Sequence, residues 1–240
     1  MRVTDAGESA QQTPRKIARD RKQQELLEVA RRHLGEVGAA GLSLRAIARE
    51  CGLVSSAIYR YFVSRDALLT VLIIEAYDAL GLHVESAEAG VPRSELAARF
   101  TAAAHAMREW GQKNPHQYAL IFGSPVPGYS APQDTVASAS RVGLVLFAVL
   151  RDAYQQGIRP AVTPSLTEAG PSVSQLRQDF GLDVPDTLVL MGVEAWSRLH
   201  GAIAFEIFGQ FNKMVSAPGK LYSFIIAEEL TRFGLGAGSK

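Results

Sequence analysis

Between Pro185 and Phe211 the chain is apolar almost all the way round a helical wheel. Leu188, Val189, Leu190, Met191, Val193, Trp196, Leu199, Ile203, Phe205, Ile207 and Phe208 leave no continuous polar stripe. A helix of that kind must be buried on several sides. Pro185 suits the first turn, where an absent N–H is no loss. Gly192, Gly201, Ala202 and Gly209 would let neighbouring helices approach closely. One stretch thus demands a helical domain built around it.

The rest of the chain supplies the partners. Leu96, Phe100, Ala103, Met107 and Trp110 share one face of a helix expected over Ser94–Lys113, which Asn114-Pro115 ends. A short aromatic helix is expected over His116–Phe122. A loop with three prolines and two glycines follows at Gly123–Pro132, able to cover a cavity or merely to connect. Val142, Leu146, Val149, Leu150 and Ala153 mark a helix over Asp134–Tyr154. Gly157–Asp179, interrupted by Pro160, Pro164 and Pro171, reads as a long mobile connection. The last helix is expected over Lys220–Phe233. No alternating run reads as a strand, so the expected fold is all-α.

The front of the chain has a different character. From Arg15 to Arg65 there are eleven Lys/Arg against five Asp/Glu, a net of +6 in a chain whose total is +1. A basic front and an acidic back fit a nucleic-acid-binding module joined to one with another task. Residues 1–19 are expected to form a flexible basic arm, lying along a groove or serving as a solubilising tail. A first helix is expected over Asp20–Glu36, and Leu42–Leu69 reads as two short helices, a corner and the start of another helix. Ser43 is a candidate N-cap. Leu44, Ile47, Ala48 and Cys51 form an apolar face, and Gly52 supplies the corner. A second helix is expected over Val54–Phe62. Ile58, Tyr61 and Phe62 would pack inward, leaving Ser55, Ser56, Tyr59 and Arg60 outward. Hydroxyls at a helix start, with a phenol and a guanidinium one turn on, suit a helix that enters the major groove.

The string SLRAIARECGLVSSAIYRYFVSRDALL resembles the helix-turn-helix of the TetR family of bacterial transcriptional regulators. Ser43, Ala48, Gly52, Ile58 to Phe62 and Arg65 to Leu68 carry the resemblance. Val54 departs from it, standing where that family usually has Ser or Thr, with Ser55 as the nearest substitute. Trp196-Ser-Arg-Leu-His200-Gly201 is similar to a Trp–His–Gly signature in the C-terminal domains of one TetR subgroup. The resemblance implies three DNA-binding helices at residues 20–65 and a helical ligand-binding and dimerisation domain at 66–234. It implies a dimeric, ligand-responsive repressor on a palindromic double-stranded operator. An activator, or an architectural DNA binder without an inducer, is the alternative. Ser43 and Arg45 would hold phosphates. Ser55, Ser56 and Ala57 would face base edges, and Tyr59, Arg60 and Arg65 would contact phosphates, with Arg60 also able to reach a base. Trp110, Tyr118, Phe122, Phe147, Trp196 and His200 would line a pocket for a small, mostly apolar effector.

Other chemistries find little support. There is no His-Glu-x-x-His, no Gly-x-Ser-x-Gly and no pair of cysteines. His83, His105, His116 and His200 fall on separate expected helices, so neither an enzyme, a cofactor nor a metal site is expected. The single Cys51 reads as a buried structural thiol in a reducing compartment. The polar N-terminus lacks the apolar core of a signal peptide, and no apolar run approaches the ~20 residues of a membrane span. A cytoplasmic protein is expected.

Overall fold

The computed structural model describes residues 13–167 and 169–236. Residues 1–12 of the expected arm lie outside them, as does the end of the glycine-rich tail. Every regular element among the described residues is a helix or a 3-10 turn. Two compact units divide the chain, one ending at Leu72 and one beginning at Ile73.

The first unit opens with α1, Pro14–Gly41, kinked at Gly38. It begins earlier than expected, so Arg15, Lys16 and Arg19 are helical rather than part of a flexible arm. The Thr13 hydroxyl accepts from the Lys16 N–H and Pro14 occupies the first turn, a start signal that the arm's polarity masks. Leu26, Leu27, Ala30 and Leu34 are buried along one face. The second helix, α2, runs Leu44–Glu50, and the Ser43 hydroxyl accepts from the Ala46 N–H. Gly52 turns the corner with φ +68°, as its position suggested.

The expected second helix of the pair does not form over Val54–Phe62. Only a single 3-10 turn, Ala57–Arg60, is regular there. Val54 has no side-chain oxygen to cap a helix, and the Ser56 side chain makes no capping bond. Ile58 and Phe62 are nevertheless buried, which fixes the outward direction of their neighbours.

The third helix, α3, spans Arg65–Ala89 and crosses the boundary between the units, later than the expected division at residue 65. By length and composition alone it is the one helix among the described residues long and apolar enough to cross a membrane, but Asp66, Glu75, Asp78, Glu85 and Glu88 interrupt it, so it holds no uninterrupted apolar run of ~20 residues. Its Leu68, Leu69, Leu72, Ala76, Leu80 and Val84 are buried in the folded chain.

The second unit adds α4 (Leu96–Lys113), α5 (Pro115–Phe122), α6 (Val136–Gln155), α7 (Gly170–Asp179), α8 (Asp186–Ile207) and α9 (Pro218–Arg232). The apolar α8 packs against α4, α6, α7 and α9, as its all-round apolarity requires. At Gly192 the Phe147 ring of α6 lies close against α8. A Cβ there would lie 2.4 Å from Phe147 Cε1. The α7 helix corrects the reading of Gly157–Asp179 as unstructured. Pro171 starts it, Val173 is buried, and Ser174 and Arg177 both bind the Asp186 carboxylate at the start of α8. Its polar exposed face hid the Val173–Leu176–Phe180 spacing, which was the available signal.

Arg99 is fully buried in this unit. Its Nε donates to Glu88 at 2.5 Å and its Nη1 to Asp152 at 2.8 Å, tying α4 to α3 and α6. Paired this way, the charge is tolerable in the interior.

Candidate DNA-binding face and effector cavity

Two sites follow from these elements, one in each unit. In the first unit, α2 packs on α1 and the 3-10 turn on α2, with Ile47, Ala48 and Ile58 buried. Arg45, Ser56, Tyr59 and Arg60 are exposed, while Ser55 and Ala57 are half-buried. Ser43 is exposed and commits its hydroxyl to capping α2. Arg19 Nη2 donates to the Arg60 carbonyl at 3.2 Å, so a cation of α1 stands beside the 3-10 turn.

Arg65 departs from its expected role at a phosphate. Its Nη2 donates to the carbonyls of Ala39 (2.7 Å) and Ala40 (3.1 Å), and its Nε donates to that of Leu42 (3.2 Å). These carbonyls lie at the end of α1, where intrahelical donors run out, although the Ala39 carbonyl also accepts from the Leu42 N–H at 3.4 Å. Lys22 does the same for α2, donating to the Cys51 carbonyl at 2.8 Å. The sequence offered Arg65 as a phosphate ligand and left Lys22 unassigned, since composition does not show which carbonyls a folded chain leaves bare. Cys51 is buried, and its burial pushes the thiol above the ordinary range.

The second unit contains a cavity of about 770 Å³, within the range of small-molecule sites. Of the six expected wall residues, Phe122, Phe147 and Trp196 line it. The other three do not. Trp110 faces the packed core, 5% exposed. The Tyr118 hydroxyl lies 3.1 Å from His200 Nδ1 and donates to the His200 carbonyl at 3.2 Å. The His200 ring sits behind the wall, 4.1 Å from Phe122 and 4.7 Å from Trp196. Burial holds the His200 pKa down at about 3, so the imidazole is neutral.

The wall includes groups that sequence reasoning did not assign. Ile73 and Tyr77 come from α3, Ser140, Gly143 and Leu144 from α6, and Leu176 from α7, with Phe180 and Leu182 just beyond it. The Gly123–Pro132 loop contributes Ser124, Pro125, Val126, Tyr129 and Ala131, so it covers the cavity as well as connecting helices. Only folding brings these segments together, because residues from 73 to 196 meet in one wall. Among the described residues, no group of three or more His, Cys, Asp or Glu side chains is placed to hold a metal ion.

The two halves also match known proteins. The family model for the N-terminal part, bacterial regulatory proteins of the tetR family, matches residues 26–72. A second, the tetracyclin repressor-like C-terminal domain, matches residues 100–228. The HTH-type transcriptional regulator Rv1816 of Mycobacterium tuberculosis is 40% identical over 215 residues, covering 87% of this chain and 90% of its own. The HTH-type transcriptional regulator Mb1846 of Mycobacterium bovis matches to the same extent. The crystal structure of SCO4313 superposes with a TM-score of 0.76 at 32% identity, over 91% of this chain and 99% of that one. This chain therefore belongs to the TetR family, and is a DNA-binding transcriptional regulator rather than an enzyme.

Proposed function

We propose that this regulator is a repressor that binds a palindromic operator as a homodimer and releases it when a small, mostly apolar effector fills the cavity. The cavity wall carries this reading. Ile73 and Tyr77 in that wall belong to α3, which begins at Arg65 in the DNA-binding unit without a break. An effector that fits better in one position of α3 than in another shifts the protein toward that position. A coupling of about 1–3 kcal/mol would lower operator affinity roughly 5- to 150-fold.

The DNA side of the proposal rests on the exposed set of the first unit. Arg45 and Tyr59 hold phosphates, with Ser43 at the start of α2 beside them. Ser55, Ser56 and Ala57 face base edges, and Arg60 reaches a phosphate or guanine. One such face reads few base pairs. Two, about 34 Å apart or a multiple of it, read a palindrome. The dimer side rests on large apolar groups that the chain leaves bare. Phe205 of α8, Phe208 just beyond its end and Phe224 of α9 are exposed, Phe224 by 59%. A cytoplasmic location belongs to the same proposal.

The test is reciprocity. The operator is obtained by selection from random duplexes and an effector by thermal-shift screening. Effector affinity is then titrated with and without operator. Operator DNA must weaken effector binding by the same factor that effector weakens operator binding. Equal effector affinity in the two titrations would sink the ligand-responsive reading and leave the architectural one.

A further inference from the structure

Taking the second unit as the effector-binding domain, as proposed above, we infer that the effector is an uncharged molecule whose polar group donates a hydrogen bond. Three features of the cavity point the same way. No Asp, Glu, Lys, Arg or His lines it among the described residues. An ionised ligand would lose its hydration there and find no counter-charge, so ions are rejected.

The second feature is the direction of the wall hydroxyls. Of the five hydroxyls in the wall, those of Tyr77, Thr135 and Ser140 each give their proton to a backbone carbonyl. Tyr77 donates to Ile121 at 3.2 Å, Thr135 to Pro132 at 2.8 Å and Ser140 to Ala137 at 3.0 Å. A hydroxyl so committed retains only acceptor lone pairs. These oxygens can therefore receive a hydrogen bond from a ligand but cannot give one without breaking another.

The third is the end of α5. Leu120, Ile121, Phe122 and Gly123 line the cavity, and α5 ends at Phe122. The last carbonyls of a helix carry its partial negative charge and welcome donors. Phe122, Phe147 and Trp196 supply flat apolar surface for the remainder of the molecule. A phenol or amide N–H on a hydrophobic frame fits these acceptors, whereas a carboxylate finds no counter-charge.

Four probes on one scaffold separate these cases: para-octylphenol, para-octylanisole, para-octylbenzoate and para-octylbenzylamine. Each is titrated calorimetrically into the full chain at neutral pH. The phenol should bind about tenfold more tightly than the anisole, which lacks only the donor. The anionic benzoate and cationic benzylamine should bind at least about tenfold more weakly than the phenol. Anisole matching phenol, or either ion binding most tightly, would overturn the inference while leaving the cavity as an effector site. If none of the four binds, the effector reading itself fails, and the inference with it.

Two variants locate the effect. A Cβ at Gly143 meets nothing within 4 Å, so Gly143→Phe fills the cavity without a clash at its first atom. It should abolish the phenol signal, and heat that survives would put binding elsewhere and overturn the inference. The double variant Tyr77→Phe with Ser140→Ala removes two acceptors and leaves the apolar wall. It should bring the phenol-to-anisole ratio toward one, and an unchanged ratio would overturn the acceptor argument.

Discussion

Arg65 reaches across the first unit to the end of α1, its Nη2 lying 2.7 Å from the Ala39 carbonyl. Two further carbonyls, of Ala40 and Leu42, share the same guanidinium. Arg65→Ala should therefore destabilise the protein by about 1–3 kcal/mol, because it leaves carbonyls without donors. Lysine has no planar fork and should restore only part of the loss. Chemical denaturation measures the first effect. The salt dependence of operator binding should barely change, and a large change in that slope would return Arg65 to the phosphates.

Arg60 behaves in the opposite way. Its backbone carbonyl is held by Arg19 while its side chain is exposed. Arg60→Ala should leave unfolding unchanged and weaken operator binding by about 1–3 kcal/mol, with relaxed preference at one base pair. Arg45→Ala should instead weaken all sequences alike and flatten the salt slope. Binding titrations on the selected operator and its single-base variants distinguish the two.

Phe205 and Phe224 give the dimer its test. Phe205→Glu or Phe224→Glu should produce folded monomers in sedimentation at micromolar concentration, with weakened operator binding. Ile203 is a poorer choice, since it is fully buried in the chain's own core. Ile203→Arg should unfold the domain rather than split a dimer. Wild-type protein that sediments as a monomer and still binds its operator tightly would refute the dimer.

His200 makes stability fall in acid. Its folded pKa of about 3 lies below the ordinary 6.5, because burial opposes the charged form. As pH drops from 6.5 toward 3, the unfolded chain takes up a proton that the folded chain refuses. Stability should decline through that window by about 1.4 kcal/mol per unit of pH at most, and level off below it. His200→Leu should shallow the decline measured by urea unfolding. The His105 pKa is also lowered by burial, so some decline should persist in the variant.

Gly192 controls the cavity wall from behind. A Cβ there would stand 2.4 Å from Phe147 Cε1 and 2.8 Å from its Cζ. Gly192→Ala must displace the Phe147 ring, at about 1–3 kcal/mol if α6 and α8 hold their spacing. Because Phe147 lines the cavity, the affinity for para-octylphenol should change with the ring position. Thermal unfolding and calorimetry measure the pair of effects, and an unchanged affinity would show that the ring returns to its place.

Local patterning fixed much of the architecture. Ser43 caps α2 and Gly52 turns the corner as their positions imply, because a hydroxyl cap and a positive φ are properties of single residues. The all-round apolarity of Pro185–Phe211 required a buried helix, and α8 is packed by four others. Helix bounds in the second unit follow from periodicity and proline, except at α7, whose solvent face outweighed its three apolar positions, and at the end of α8, which stops at Ile207 rather than Phe211, before Gly209 at φ +81°.

Tertiary structure decided what periodicity cannot encode. A 3.6-residue repeat says that an aromatic side chain points inward, but a packed core and a cavity wall look alike to it. Phe122, Phe147 and Trp196 line the cavity, whereas Trp110, Tyr118 and His200 do not. The distinction depends on where α3, α6, α7 and a proline-rich loop meet, which is long-range geometry. Charge shows the same limit. Arg65 and Arg60 are the same residue five positions apart, yet one caps a helix and the other stays exposed. Sequence supplies the cation, and only the fold determines whether an unsatisfied carbonyl lies within its reach.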